Sequence, residues 1–173
     1  MEIRPILSSC RDEAVRQLYE TAFPDDEKIP WDELLGLVET MSLDFQAYYE
    51  GESLIALTIV YPRPSFSWFW YFAVKEELRG RGWGQRILRM VTSQYKDHSL
   101  ILDMEDPAQA CENTSQRQRR HAFYLRNGFR DTGVGKCYGS VAMTILLTGE
   151  GTFTMQDYDE VIQELRSFWT IPD

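Results

Sequence analysis

The stretch of sequence that decides the fold is FSWFWYFAVKEELRGRGWGQRIL, residues 66–88. It opens with an almost wholly apolar run, Phe66–Val74, as in a central strand that is covered on both faces. Residues 79–84 then read Arg-Gly-Arg-Gly-Trp-Gly, and residues 85–95 are amphipathic. This order of strand, glycine loop and helix predicts an anion site, because glycines let the backbone turn tightly beside a ligand and the first amides of a helix favour phosphate.

The spacing of the glycines separates this loop from two better-known phosphate sites. No Gly-Lys-Ser/Thr sequence closes it, so a Walker nucleotide site is unsupported. A dinucleotide fingerprint would place its first glycine directly after the strand, whereas residues 75–78 intervene here. The chain also opens without a strand-helix-strand unit.

A second motif identifies the kind of loop. Residues 121–129 read HAFYLRNGF, and a predicted strand at residues 99–104 lies between the two motifs. Arg79, Gly82 and Gly84 match the Arg-x-x-Gly-x-Gly pattern of the acetyl-CoA pyrophosphate loop in the GNAT superfamily of N-acetyltransferases. The sequence HAFYLRNGF resembles the superfamily's helix that carries Phe-Tyr and ends in Gly-Phe. Over residues 2–148 the chain therefore resembles a GNAT N-acetyltransferase.

The resemblance implies an α/β chain (α+β mixed sheet) with the acyl-CoA N-acyltransferase fold, in which helices flank a central mixed sheet. The residue patterns agree, since predicted strands and helices are interleaved along the chain. No repeat or low-complexity linker is present in the sequence. We therefore expect residues 1–173 to form a single domain, with its core at residues 2–148 and a helical extension at residues 150–173.

Hydrophobic periodicity and turn residues predict the individual elements. The expected strands are residues 2–7, 44–50, 53–61, 66–74, 99–104, 129–134 and 137–147. The expected helices are one that is capped by Ser8 or Ser9 and ends near residue 22, then residues 31–41, 85–95, 112–126 and 156–168. Residues 107–114 are expected to be extended.

Composition and charge restrict the class of protein. No apolar run is long enough for a membrane helix and residues 1–5 begin no signal peptide, so we expect a cytoplasmic protein without a membrane partner. A net charge of −9 argues against nucleic acid as a partner. Cys10, Cys111 and Cys137 are far apart and lack metal spacing, which indicates reduced thiols and no metal.

Charge is also unevenly placed along the chain. Residues 20–52 hold ten carboxylates against Lys28 alone, whereas residues 75–136 hold twelve Lys and Arg against eight Asp and Glu. This division suits a protein that binds an anionic cofactor in one region and a cationic amine in another. Solvated surface charge explains it equally well.

The resemblance implies acetyl-CoA as cosubstrate and assigns residues to it. Backbone amides at the end of the central strand, from Phe72, Ala73 and Val74, would polarise the thioester carbonyl. The pyrophosphate would lie against the loop and the helix start, formed by Arg79, Gly80, Arg81, Gly82, Trp83, Gly84 and Gln85.

Direct transfer of the acetyl group to an amine, as in this superfamily, requires an acid for the departing thiolate and a base for the amine proton. Tyr124 stands where the superfamily's general acid commonly lies, although a half-buried helix tyrosine is the alternative. Asp103 and Glu105 project from one face of a predicted strand and are candidate bases. Charges at the strand end, or carboxylates paired with Arg119 or Arg120, are equally compatible.

One position departs from the superfamily's pattern. Many members carry a cofactor-contacting Asn seven residues before the tyrosine, where this chain has Arg117. The contact is carried over to Asn113, four residues earlier. Arg117, with Arg119 and Arg120, could instead reach the cofactor's phosphates or lie on a helix surface.

The expected activity is an N-acetyltransferase acting on a primary amine of a small molecule or peptide. The acidic residues 25–27 suggest a cationic acceptor, and Tyr19, Phe23 and Trp31 either face it or belong to the core. A non-catalytic acyl-CoA-binding or sensing domain is the alternative, followed by an interaction module that uses the C-terminal helix. A homodimer is left open.

Overall fold

The computed structural model describes residues 1–25 and 27–168. Its strands are β1 (Glu2–Pro5), β2 (Asp44–Glu50), β3 (Ser53–Tyr61), β4 (Phe66–Val74), β5 (Ser99–Glu105), β6 (Phe129–Tyr138) and β7 (Val141–Thr148). Its helices are α1 (Glu13–Ala22), α2 (Trp31–Thr40), α3 (Trp83–Gln94), α4 (Thr114–Arg126) and α5 (Met155–Phe168), with a 3-10 helix at Glu76–Leu78. Within that part of the chain, no helix has both the length and the apolar character needed to cross a membrane.

The chain divides into two compact units. The first contains Met1–Arg63 and Trp68–Leu88, and the second contains Pro64–Ser67 and the chain from Arg89 onward. In the first unit β1, β2, β3 and β4 pair in chain order, and each pair is antiparallel. Every residue of β3 after Ser53 is buried, which explains why its sequence is a continuous apolar run rather than an alternating one. The predicted bounds of β2 and β3 are confirmed.

The first helix begins later than the sequence predicted. Asp12, not Ser8 or Ser9, is its N-cap, and the Asp12 carboxylate accepts hydrogen bonds from the amides of Ala14 and Val15. The same carboxylate accepts a hydrogen bond from the Tyr49 hydroxyl of β2. Because Asp12 caps the helix and also accepts a hydrogen bond from the sheet, it fixes where α1 starts and ties that start to β2.

The second helix packs into the core of the first unit, and the connection before it is held by an aromatic side chain. The predicted apolar face of α2 is confirmed, since Trp31 and its partners Leu34, Leu35 and Val38 are buried. The Tyr19 hydroxyl donates to the Ile29 carbonyl at 3.0 Å and accepts from the Ile29 amide at 3.1 Å. The connection from α1 to α2 is thus anchored by a buried side chain, in addition to its own backbone hydrogen bond from the Glu27 amide to the Pro24 carbonyl at 3.1 Å.

The strand β4 carries a bulge. Its register against β3 runs regularly from Val74 to Tyr71, and the next paired residue is Phe69, so Trp70 is the extra residue. The neighbouring Trp70 and Tyr71 rings consequently stack, with centroids 5.4 Å apart.

In the second unit, β7 lies between β5 and β6, and both pairs are antiparallel. The predicted break after Val134 is wrong: β6 continues to Tyr138, and the turn lies at Gly139 and Ser140. The Gly133 to Gly135 region that resembled a turn is an irregularity within the strand. The Thr132 hydroxyl donates to the Ile145 carbonyl and keeps the two strands together there.

The C-terminal helix α5 belongs to the second core. It buries a stripe formed by Tyr158, Val161, Ile162 and Leu165. The Tyr158 hydroxyl contacts the Tyr138 hydroxyl of β6, and the Lys136 ammonium lies 5.1 Å from the Tyr158 ring centroid. The sequence predicted this helix from residue 156, one residue after its observed start, and the last five residues of the predicted extension lie outside the described chain.

The double role of Asp12 can be tested by stability. Replacing Asp12 with Ala removes a helix cap and the acceptor of the Tyr49 hydroxyl, so we expect a loss of about 2 kcal/mol in urea unfolding at pH 7. The hydrogen bond from Tyr49, and then the helix amides, lower the pKa of Asp12 below 3.8. The stabilisation is therefore present above pH 4 and declines as the pH falls through the lowered pKa, so the difference between wild type and variant should shrink at pH 3.

Ser9→Ala is the control for Asp12→Ala, because Ser9 is exposed and the sequence had suggested it as the cap. It should change stability by less than about 0.5 kcal/mol. Equal losses in the two variants at pH 7 would contradict the assignment of Asp12 as the cap.

Candidate active site

The glycine loop of the first unit turns the chain from β4 into α3. Gly80 and Gly82 have φ angles of +73° and +82°, which belong to the left-handed region that L side chains rarely adopt. A Cβ atom built on either glycine would meet no heavy atom within 4 Å. The glycines are therefore required by the backbone conformation and not by crowding, and the space where each Cβ atom would stand is open.

The helix α3 begins within the predicted loop, at Trp83 instead of Gln85. Its first intrahelical hydrogen bond runs from the Arg86 amide to the Gly82 carbonyl at 3.1 Å. The amides of Trp83, Gly84 and Gln85 consequently have no partner inside the helix. Gly84 and Gln85 thus belong to the first turn of α3, where their amides face an anion more directly than a loop position would allow.

Positive charge surrounds this helix start. Arg79 and Arg81 are exposed and form no ion pair with any described residue. The Arg79 side chain donates from Nε to the Val74 carbonyl at 3.2 Å, which ties the loop to the end of β4. Two guanidinium groups without ion pairs, the amides without partners inside the helix and the helix dipole together form a cradle that favours an anion.

The end of β4 presents two backbone amides away from β3. The Lys75 amide donates to the Ile55 carbonyl of β3 at 2.9 Å. Because amide directions alternate along a strand, the Ala73 amide also points to β3, while those of Phe72 and Val74 point to the opposite edge. Three amides were predicted to contact the thioester. The Ala73 amide points to β3 and is unsuitable for this contact, whereas those of Phe72 and Val74 remain candidates.

Tyr124 lies in α4 of the second unit and is only 4% exposed. Its ring packs against the Phe129 ring, with centroids 5.4 Å apart. The hydroxyl makes no hydrogen bond to a described residue. The ring is thus held by packing, while no described residue holds the hydroxyl.

Glu105 ends β5, and Arg117 of α4 binds it. Arg117 Nη2 donates to Glu105 Oε1 at 2.7 Å, and Arg117 Nη1 donates to Gln109 Oε1 at 3.3 Å. The Arg117 side chain is 8% exposed and the Glu105 side chain is 25% exposed. The sequence allowed Arg117 either a phosphate contact or a surface position, and the surface position is wrong because the guanidinium is buried against Glu105.

Gln109 is a member of this cluster that sequence analysis missed. Its Oε1 also accepts from the Ala142 amide at 3.0 Å, and its Nε2 donates to the Ser140 carbonyl at 2.7 Å. It therefore joins α4 to the turn between β6 and β7. No local pattern marks a glutamine for this role, because its partners lie eight and about thirty residues away.

Asp103 precedes Glu105 by two residues on the same face of β5. Its side chain is half-buried, and burial raises the pKa of Asp103 to about 6, against the lowering effects of its own backbone amide and the Arg120 guanidinium. The carboxylate forms no ion pair with a described residue. It therefore differs from Glu105, which Arg117 holds in place.

Asn113 is the residue before α4 and does not use its side chain to cap the helix. Its Oδ1 accepts from the Cys111 thiol at 2.9 Å. The segment before α4 was expected to be extended but forms turns, with the Gln109 amide bonded to the Asp106 carbonyl at 3.2 Å. Asn113 is exposed, so a contact with a cofactor stays a prediction.

The aromatic residues of the early helices belong mainly to the core. Tyr19 and Trp31 are buried, whereas Phe23 is half-buried and packs on Tyr71 with ring centroids 4.9 Å apart. Of the acidic stretch at residues 25–27, Asp26 lies outside the described residues. Asp25 is paired with Lys28 at 2.7 Å, so its charge is already compensated.

The structure also locates the cysteines and the potential metal ligands. All three cysteines are free. The residues that the structure describes contain no group of three or more His, Cys, Asp and Glu side chains arranged to hold a metal ion.

Comparison with solved structures shows the fold. A protein from Bacteroides thetaiotaomicron assigned to the GNAT acetyltransferases aligns with a TM-score of 0.78 and 20% identity, over 96% of this chain and 97% of its own. A GNAT acetyltransferase from Elizabethkingia anophelis, solved with acetyl-CoA bound, aligns with a TM-score of 0.62 and 16% identity, over 86% and 97%. The ribosomal-protein-S18-alanine N-acetyltransferase of Escherichia coli aligns with a TM-score of 0.61 and 14% identity, over 88% and 99%.

The expected fold class, an α/β chain with the acyl-CoA N-acyltransferase fold, is thereby confirmed. A search of curated proteins found no match to the sequence. The model of the acetyltransferase (GNAT) domain matches residues 44–131, which is 88 of the 173 residues and includes β4, the glycine loop and α4. The chain therefore belongs to the GNAT acetyltransferase family.

Proposed function

We propose that this protein is an N-acetyltransferase that moves the acetyl group of acetyl-CoA directly to a primary amine of a small molecule or peptide. The observation that carries the proposal is the cradle at residues 79–85, where left-handed glycines, free helix amides and two unpaired arginines meet. Such a site suits the diphosphate of coenzyme A. Membership of the GNAT family supports the acyl transfer itself.

Different residues bind different parts of acetyl-CoA. Arg79 and Arg81 bind the diphosphate with the amides of residues 83–85, and the amides of Phe72 and Val74, which point away from β3, bind the pantetheine and the acetyl carbonyl. Acetyl-CoA supplies an activated acyl group on a thiol that can leave. Acetyl-CoA can approach the loop closely because Gly80 and Gly82 have no side chains and the space at their Cβ positions is open.

Proton transfer completes the reaction. An alkyl ammonium with a pKa of about 10.4 must first lose one proton, for which the candidates are Asp103 and Glu105. The amine nitrogen then bonds to the acetyl carbon while the carbon–sulfur bond breaks and its electron pair leaves on sulfur. Tyr124 gives its hydroxyl proton to sulfur, and the second proton lost by nitrogen returns to the Tyr124 oxygen. The role is supported by the Tyr124 hydroxyl, which makes no hydrogen bond to a described residue.

The acceptor is expected to be cationic, because the chain is acidic outside the cradle, with ten carboxylates and one lysine in residues 20–52. Because Asp25 pairs with Lys28, residues 25–27 attract a cation less strongly than their sequence suggests. The protein is expected to work in the cytoplasm without metal or nucleic acid. The acceptor can be identified by screening amines for those that cause release of the coenzyme A thiol.

The cradle can be tested by calorimetric titration with acetyl-CoA. We expect wild type to bind with a micromolar dissociation constant, and Gly82→Asp to bind at least about 100-fold more weakly, because a carboxylate would occupy the open space and repel the diphosphate.

Gly51→Asp is the matched control for Gly82→Asp. Gly51 also has a left-handed φ, +58°, and open space around its Cβ position, but it lies in the turn between β2 and β3. It should carry the same backbone strain and bind acetyl-CoA like wild type. Failure of folded wild type to bind acetyl-CoA would overturn the proposed function.

The environment of Asp103 can be tested by the pH dependence of stability. A carboxyl group whose folded pKa is raised from 3.8 to about 6 holds its proton more tightly in the folded state, so stability falls as the pH rises between those values. The full effect corresponds to about 3 kcal/mol. Asp103→Asn should therefore gain stability relative to wild type, by about 2 to 3 kcal/mol, between pH 4 and pH 8.

Asp97→Asn, at an exposed position just before β5, serves as the comparison for Asp103→Asn. Its unfolding free energy should follow that of wild type across the same pH range. If the Asp103→Asn curve also ran parallel to wild type, the Asp103 carboxyl would titrate in an ordinary aqueous environment and the account of its burial would be wrong.

A further inference from the structure

We propose that Arg117 is a positioning residue that holds Glu105 as the carboxylate taking the proton of the acceptor amine. This inference rests on the function proposed above and names the base within it. It starts from three observations in the second unit: a buried guanidinium, a carboxylate held through one oxygen, and one guanidinium N–H without a partner.

The first observation is that stability does not explain an arginine at this position. The Arg117 side chain is 8% exposed, and its Nε is enclosed without a hydrogen-bond partner. Desolvating a guanidinium and leaving one donor unpaired opposes folding, and one ion pair compensates only in part. An apolar side chain of similar length would fill the same space, so a role other than packing is indicated.

The second observation is the geometry of the carboxylate. Arg117 Nη2 binds Glu105 Oε1 at 2.7 Å, while Glu105 Oε2 has no partner among the described residues. The side chain is 25% exposed and stands at the last residue of β5. One oxygen is therefore fixed and the other is open, which is the arrangement that a base or water-positioning group requires.

The guanidinium is itself held from a second side. Arg117 Nη1 binds Gln109 Oε1, and Gln109 in turn binds the Ser140 carbonyl and the Ala142 amide. Rotation of the guanidinium would break contacts on two elements. The orientation of Glu105 is thus determined by α4 and by the turn between β6 and β7, rather than by its own flexible side chain.

Several charged groups share the surroundings of Glu105. Asp103 precedes it on β5, and Arg120 acts electrostatically on Asp103. Met143 is opposite Glu105 on β7, and Lys136 is opposite Met143 on β6. Of these groups, only Arg117 contacts the Glu105 carboxylate directly within the described chain. Asp103, which no side chain holds, is the competing base.

Steady-state kinetics test the proposal, with thiol release from acetyl-CoA and the fastest amine of a screened panel. Arg117→Ala should lower kcat about 100-fold because the carboxylate loses its orientation, and should leave the KM for acetyl-CoA unchanged. Glu105→Gln should lower kcat by about 100-fold or more. The double variant should be no slower than Glu105→Gln, because Arg117 acts only through Glu105.

Two controls separate positioning from general damage. Added guanidinium ion should restore at least about tenfold of the activity of Arg117→Ala and none of that of Glu105→Gln. Arg89→Ala, at an exposed arginine of α3 without an ion pair in the described chain, should behave as wild type.

A measurement without turnover keeps the inference independent of the acceptor. Rotation about the Cζ–Nη bonds of Arg117, measured by nitrogen-15 NMR, should be slow in wild type and fast in Glu105→Gln. Fast rotation in wild type, independent losses that multiply in the double variant, or loss of turnover in Asp103→Asn instead of Glu105→Gln would overturn the inference. Folded wild type that binds acetyl-CoA and acetylates no amine would overturn the proposed function, and this inference with it.

Discussion

The left-handed backbone at Gly80 and Gly82 is the constraint on which the rest of the proposed site depends. These two residues turn the chain so that α3 starts at Trp83 with its first amides unpaired and with Arg79 and Arg81 beside them. A Cβ atom at either glycine would meet no heavy atom within 4 Å beyond the neighbouring residues, so the conformation and not the packing requires glycine. The same turn fixes the end of β4, because Arg79 binds the Val74 carbonyl.

The second unit contains an arginine whose environment is opposite to that of the arginines in the cradle. At the cradle, arginines are exposed and unpaired, ready to meet an anion. In α4, Arg117 is buried and donates hydrogen bonds to Glu105 and Gln109. The difference follows from burial: an exposed guanidinium keeps its hydration until a ligand replaces it, whereas a buried one must be compensated by protein groups. The two kinds of arginine therefore suit binding and positioning respectively.

Much of the fold could be predicted from the sequence, because its signals are local. The hairpin of β2 and β3 was predicted to the residue, since two apolar runs flank a short turn with Gly51. The start of α1 could not be, because Ser8, Ser9 and Asp12 are all acceptable caps and Tyr49, distant in sequence, selects Asp12. The break in β6 was misplaced because glycines within a bulged strand resemble a turn.

The candidate site was predictable to a similar extent. The glycine loop follows from spacing alone, whereas the amide direction at Ala73 depends on register with β3. The pair of Arg117 and Glu105 joins residues twelve apart, and neither their proximity nor the burial of Arg117 can be derived from periodicity. Sequence reasoning therefore identified the site's backbone elements more reliably than the contacts among its side chains.

The claim that the loop at residues 79–85 receives acetyl-CoA is tested most directly by amide hydrogen exchange with and without saturating ligand. The account predicts slower exchange for the amides of residues 80–86 and unchanged exchange in the turn at Gly51. Binding of acetyl-CoA with unaltered exchange at residues 80–86 would contradict it.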